Sequence, residues 1–156
     1  MNTTRRSFLK SALAGSVAGI VLGSGGWLPL QVVAETPKEG FEAKSVNDAL
    51  HAMYGDTPLA DSSAVVLQVP DTAENGAVVP VSVQTSLPKV ESISIFVQDN
   101  PTPLAASFEL EPGMEADVST RIKMAKSSTV IAVVKADGKL YTTRKDVKVT
   151  VGGCAG

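Results

Sequence analysis

One cysteine, one histidine and one tryptophan occur in the 156 residues of the chain. With Cys154 alone, no disulfide can form within the chain. A structural zinc site needs four suitable ligands and a blue-copper site needs two histidines with a cysteine, so the single His51 satisfies neither. His51 reads as a surface or core-edge residue. A Cys–His nucleophile pair would require His51 to meet Cys154, and nothing in the sequence suggests it. No glycine-rich loop sits between a strand and a helix, which removes the signature of a nucleotide site, and no other cofactor motif is present. Aromatic residues make up 4% of the chain, so a core has to rest on valine, isoleucine and leucine. No apolar run reaches the ~20 residues a membrane span requires.

The N-terminus carries an export pattern. Thr4-Arg5-Arg6-Ser7-Phe8-Leu9-Lys10 is a twin-arginine signature, and an apolar run broken by Gly15, Gly19 and Gly23 follows it. Val32-Val33-Ala34 provides the small or modest residues a signal peptidase reads. Residues 1–34 are expected to be a twin-arginine signal peptide, cleaved after Ala34, with the mature chain in the periplasm. Trp27 leaves with that segment. Arg5, Arg6 and Lys10 leave too, so eleven basic residues face sixteen acidic ones, a net charge of −5. A chain this acidic offers no basic footprint for nucleic acid or an anionic membrane surface. An oxidising compartment also makes an unpaired cysteine informative, because exported domains usually pair theirs.

Residues 35–40 read as a polar lead-in. Ser45 then stands as an N-cap, with Asp48 placed where an acid favours a helix N-terminus. Val46, Ala49, Leu50 and Met53 recur at three- and four-residue steps, and Gly55 is a natural stop. Phe41 is placed to fold back onto this stripe. From Asp61 the period changes to two. Strands are expected over 64–69, 77–85, 90–98, 104–111, 118–124, 128–136 and 139–151. Asn75-Gly76 and Asp137-Gly138 both read as hairpin turns. Pro80 argues for an edge position or a bulge. Residues 128–136 are β-branched and apolar, as in a central strand. The expectation is an all-β, immunoglobulin-like antiparallel β-sandwich of about seven strands, over 35–151, with one N-terminal helix. Glu109 with Glu111, and Arg121 with Lys123, stand two apart. The first pair reads as a solvated face, the second as a solvated face or a docking surface.

Cys154 remains as the one site with chemistry. It follows Gly152 and Gly153 and precedes Ala155 and Gly156. Glycine adds no Cβ and restricts few dihedrals, so residues 152–156 read as a flexible arm with these four residues as its hinge. Three residues separate Val151 from Cys154, a reach of roughly 10 Å at ~3.3–3.6 Å per extended residue. A thiolate so placed can hold sulfur as a disulfide, persulfide or thiosulfonate. Taken alone, the chemistry leaves three readings open: a carrier of sulfur species, a tail cysteine with no role, and a structural β-sandwich module that dimerises through a Cys154 disulfide.

Four segments resemble a known family: Asn100-Pro101-Thr102-Pro103-Leu104-Ala105, Thr120-Arg121-Ile122-Lys123-Met124-Ala125, Asp137-Gly138-Lys139, and Val147-Lys148-Val149-Thr150-Val151-Gly152-Gly153-Cys154. They are similar to SoxY, the cysteine-bearing subunit of the SoxYZ sulfur-carrier complex of bacterial thiosulfate oxidation. The resemblance implies that Cys154 is the covalent attachment site of a carrier that catalyses nothing itself. It implies a SoxZ-like β-sandwich subunit as heterodimer partner. Transient partners would be a c-type cytochrome, a sulfate-releasing hydrolase and a sulfur dehydrogenase. Family tails usually end Gly-Gly-Cys-Gly-Gly; here Ala155 replaces the first glycine after the cysteine, adding a methyl and restricting φ.

Overall fold

In the computed structural model the described residues are 38–151. The expected signal peptide, its cleavage site and the arm at 152–156 lie outside the described residues. Two helices come first, α1 (Lys38–Glu42) and α2 (Val46–Tyr54). Nine strands follow: β1 (Leu59–Asp61), β2 (Val65–Gln68), β3 (Thr72–Asn75), β4 (Val79–Thr85), β5 (Val90–Val97), β6 (Leu104–Glu109), β7 (Asp117–Ile122), β8 (Ser128–Ala136) and β9 (Lys139–Val151).

The strands form the expected two-sheet sandwich. The larger sheet runs β1-β9-β8-β5-β6, with β3 also on β9, and the smaller runs β2-β4-β7. Valine alternation writes the interior. Val79, Val81 and Val83 from β4 meet Ile93, Ile95 and Val97 from β5 and Val130, Ala132 and Val134 from β8. β8 is central and has apolar side chains on both faces, because Ile131 and Val133 point the other way. There they join Phe96, Leu104 and Leu140 under Ala49 of α2, with Phe41 and Met53 packed alongside. The described residues are therefore three layers deep, with helix pair, large sheet and small sheet stacked in that order.

The α2 boundaries follow the sequence signals. Ser45 accepts from the Asp48 N–H at 3.1 Å, and Gly55 ends the helix at φ 63 with its N–H on the His51 carbonyl. His51 is exposed on the helix surface, 3.5 Å from Asp56. Asp137 (φ 50) and Gly138 (φ 72) make the β8–β9 hairpin turn as read.

Four expectations change. A second helix, α1, replaces the polar lead-in. Its five residues, Lys-Glu-Gly-Phe-Glu, are too few for a periodic stripe, and it is held by Gly40, where a Cβ would sit 2.8 Å from Met53 Cγ and 3.2 Å from Leu104 Cδ2. Two strands exceed the seven expected, since β1 and β3 are too short to show alternation. Both pair parallel with β9, so the sandwich is not wholly antiparallel. Asn75-Gly76 does form a turn, with Asn75 Oδ1 accepting from Ala77 N–H at 2.8 Å. It is no hairpin, however: β3 goes to β9 and β4 to β2 and β7, so the turn carries the chain between sheets. Pro80 lies beyond the reach of β2, which pairs β4 only over Ser82–Thr85, so β4 has a single neighbour there.

One polar network crosses the helix–sheet layer. Tyr54 Oη lies 2.7 Å from Ser94 Oγ, and Ser94 Oγ lies 3.0 Å from Ser107 Oγ. Burial, opposed by its serine contacts, holds the Tyr54 phenol above its ordinary value of 10.0. The raised value means that the neutral phenol stabilises the fold below pH ~10 and that this contribution is lost as pH rises through the folded value. Tyr54→Phe is expected to cost about 1 kcal/mol at pH 7, because Ser94 keeps Ser107 as a partner. It should also flatten the loss of stability between pH 8 and pH 11. Urea midpoints at the two pH values check this; an equally steep loss in both proteins would contradict it.

Candidate functional site

The structure places none of the arm residues: Gly152, Gly153, Cys154, Ala155 and Gly156 all lie outside the described residues. It does define the root from which they continue. β9 is thirteen residues long, yet β8 pairs only with its stretch from Lys139 to Val147. The remaining four residues are secured by other means on both edges.

On one edge β3 takes over. Thr72 pairs with Lys148, Ala73 with Val149 and Asn75 with Val151. Lys148 N–H donates to the Asp71 carbonyl at 2.9 Å, and Thr150 Oγ1 donates to the Glu74 carbonyl at 2.8 Å. Gly76 N–H closes the ladder on the Val151 carbonyl at 2.8 Å. On the other edge a side chain substitutes for a strand. Ser127, the residue before β8, accepts from Val149 N–H at 2.9 Å and its hydroxyl reaches the Val149 carbonyl at 3.4 Å. Val149 is thus held from both sides two residues before the strand ends.

The same end gathers two of the segments that carry the resemblance. Asn100 donates from Nδ2 to the Lys123 carbonyl at 2.7 Å and accepts at Oδ1 from Ala125 N–H at 2.9 Å. Met124 N–H then donates to the Gly76 carbonyl at 2.7 Å. Gly76 therefore links two loops: its N–H holds Val151, and its carbonyl holds Met124. A hydrogen-bonded path runs from Asn100 through residues 123–125 and Gly76 to the root of the arm. Close by, Lys145 donates to the Val69 carbonyl and to Asp71 Oδ1, both at 2.8 Å. That hydrogen bond and the lysine charge hold the Asp71 carboxyl below the usual carboxylate value.

The other sequence candidates lie apart. Glu109 ends β6 and Glu111 follows it, both exposed; they face solvent at the end remote from the root. Arg121 and Lys123 are exposed at the root end. Among the described residues no group of three His, Cys, Asp or Glu side chains could hold a metal ion.

A model of the family described as sulfur oxidation protein SoxY matches residues 50–154. The chain belongs to the SoxY family. The match to SoxY ends on Cys154 and so takes in the whole of the Gly-Gly-Cys segment. Among solved structures, the sulfur carrier protein SoxY from Chlorobium limicola f thiosulfatophilum is 45% identical, with a TM-score of 0.63 over 69% of this chain and 97% of that one. A lytic polysaccharide monooxygenase from Jonesia denitrificans is 12% identical over 60% of this chain and 58% of that one, with a TM-score of 0.36, and bears on nothing further. No curated protein sequence matches at a significant level. This SoxY-family chain is a sulfur oxidation protein.

Sequence reasoning missed Ser127, the role of Gly76 and the pairing of β3. Ser127 shows no pattern, since one serine before a strand reads as loop. Asn75-Gly76 was visible, but the partners of a turn are set by the sheet and not by the turn residues. Ser127→Ala should cost about 0.5–1.5 kcal/mol, because water reaches the exposed edge and replaces part of the bond. Amide hydrogen exchange should speed at Val149 and stay unchanged at Val133 in the centre of β8. Unchanged exchange at Val149 would show that the serine holds nothing.

Proposed function

We propose that the protein is a periplasmic carrier of sulfur compounds, exported by the twin-arginine route, which holds thiosulfate-derived intermediates covalently on Cys154. The observation that carries this reading is the match to the SoxY family through Cys154, joined to a β9 that is hydrogen-bonded as far as Val151. The similar structure at 45% identity is of a sulfur carrier protein, which supports the same reading.

The chemistry suits a lone thiol. In the first step the Cys154 sulfur bonds to the outer sulfur of thiosulfate. The thiol proton leaves, and a pair of electrons passes to a c-type cytochrome, giving a thiosulfonate on the arm. In the second step water attacks the terminal sulfonate sulfur under a hydrolase. The S–S bond to that sulfur breaks, sulfate departs with its protons, and a persulfide remains on Cys154. A sulfur dehydrogenase then oxidises the remaining sulfane sulfur to a sulfonate, water supplying the oxygens and a cytochrome taking the electrons, and a second hydrolysis releases sulfate and frees the thiol. The carrier supplies the thiol and its position, and the enzymes supply the catalysis. Gly152 and Gly153 are the hinge, with Ala155 and Gly156 beyond the thiol. A second cysteine within the chain would offer the persulfide an intramolecular disulfide exchange, and none is present.

The sandwich pairs with a SoxZ-like β-sandwich subunit in this reading. Export of a folded pair, only one member of which bears a signal, accounts for the twin-arginine route.

Cys154→Ser should abolish thiosulfate oxidation in cells that depend on this chain while leaving its thermal unfolding unchanged. Intact-mass spectrometry of the parent protein from thiosulfate-grown cells should show sulfur adducts that the variant lacks. Full oxidation by the serine variant, with no adduct on the parent, would sink the proposal.

A further inference from the structure

We infer that the end of the sandwich around the root of β9 is a docking surface for an enzyme whose active-site mouth is apolar with an acidic surround. The inference rests on the carrier reading and adds to it where the partner must touch and what its surface must be. The first observation is reach. The backbone is hydrogen-bonded as far as the Val151 carbonyl, and the thiol lies no more than roughly 10 Å beyond it. An active site that closes around the thiol has to bring its mouth within that distance of Val151. The surface around Val151 is then covered each time the arm is used.

The second observation is what that surface presents. Val151 and Val78 are 57% and 52% exposed and flank the Asn75-Gly76 turn, since Val151 pairs with Asn75 and Val78 N–H donates to the Asn75 carbonyl. With Leu59, Val66 and Met114 they are the large apolar side chains exposed among the described residues. At this end stand the exposed Arg121, Lys123, Lys126 and Lys148, against Glu74, Asp99 and Asp146, with Asp71 already paired to Lys145. Among the described residues Arg121, Lys123 and Lys148 make no ion pair, and Lys126 approaches Asp99 only to 3.8 Å.

The third observation is contrast with the opposite end. There Glu109, Glu111, Glu115 and Asp117 are exposed, Lys135 is engaged by Glu91 at 2.8 Å and Lys89 by Asp137 at 3.1 Å, and Lys139 is the one exposed cation left without an ion pair among the described residues of that end. Of the exposed cations that make no ion pair among the described residues, Arg121, Lys123 and Lys148 stand at the end where the arm leaves, while Lys139 opens β9 at the other end and Lys44 precedes α2. An apolar centre within a charged rim is the anatomy of a protein interface, and unpaired rim charges steer approach. The fitting partner is an enzyme with acidic side chains around an apolar mouth.

The test uses the mature chain with its partner subunit, loaded with thiosulfate, and the sulfate-releasing hydrolase of the same oxidising system. Loading is confirmed first by mass. Arg121→Glu with Lys123→Glu should raise KM for sulfate release about tenfold at low ionic strength and leave kcat within about twofold. The effect should shrink at about 0.5 M salt, where exposed charges are screened. Val78→Ser should raise KM at both salt concentrations. Glu109→Lys with Glu111→Lys, at the far end, should match the parent. A loaded parent with KM unmoved by the root-end variants overturns the docking inference alone, as does an equal rise from the far-end variant. Dissociation of a dimer of this chain by the root-end variants, with KM unchanged, also overturns it by assigning the surface to a second copy. A parent that accepts no adduct overturns the inference together with the carrier reading.

Discussion

The parallel pairing of β3 with the end of β9 is the constraint on which the site depends. β9 outruns β8 by four residues, and an unpaired strand end of that length would leave its backbone groups to water and fray. β3 prevents this on one edge and the Ser127 hydroxyl on the other. The ladder consequently runs to Val151, three residues before Cys154 in the sequence. Had the order ended at Val147, seven residues instead of three would separate it from Cys154. For the proposed carrier this order matters, because effective concentration at a target falls as a flexible tether lengthens.

The firm root in turn depends on the layers beneath it. β8 is buried on both faces, between the small sheet and the helices, which fixes the strand against which β9 is registered. Ser128 opens β8 opposite Val147, and Ser127 immediately before it thereby falls beside Val149. Asn100 carries the order further, tying the β5–β6 loop to the backbone that reaches Gly76. The charge pattern lies on this frame. The cations at the root end stand on β7, on the loop before β8 and on β9, and that loop is joined to β9 by the hydrogen bonds of Ser127 and of Gly76.

Much of this was legible in the sequence, and the reasons are physical. Binary alternation in β4 and the nearly unbroken β-branched, apolar run of β8 report burial directly, so the sandwich and the central place of β8 could be read from them. Ser45 and Gly55 bounded α2 because capping chemistry is local. Asp137-Gly138 bounded its hairpin because a two-residue turn fixes both neighbours. What could not be read was long-range or carried by single residues. β1 and β3, with three and four residues, have no periodicity to detect, and parallel partners distant in sequence leave no local trace. Asn75-Gly76 kept its turn and lost its hairpin for that reason. Cys154 stood out by elimination of other chemistry, while the residues that hold its root, Ser127 and Gly76, act through backbone bonds that no spacing reveals.

The central claim is that sulfur is carried on Cys154, and locating the adduct within the chain tests it most directly. Trypsin cuts after Lys148 and releases the fragment that begins at Val149 and holds Cys154, the one cysteine of the sequence. Tandem mass spectrometry of that fragment, taken without reductant from protein actively oxidising thiosulfate, should find thiosulfonate and persulfide masses on Cys154, and their removal by reductant. An unmodified fragment from protein that is turning over thiosulfate would contradict the account.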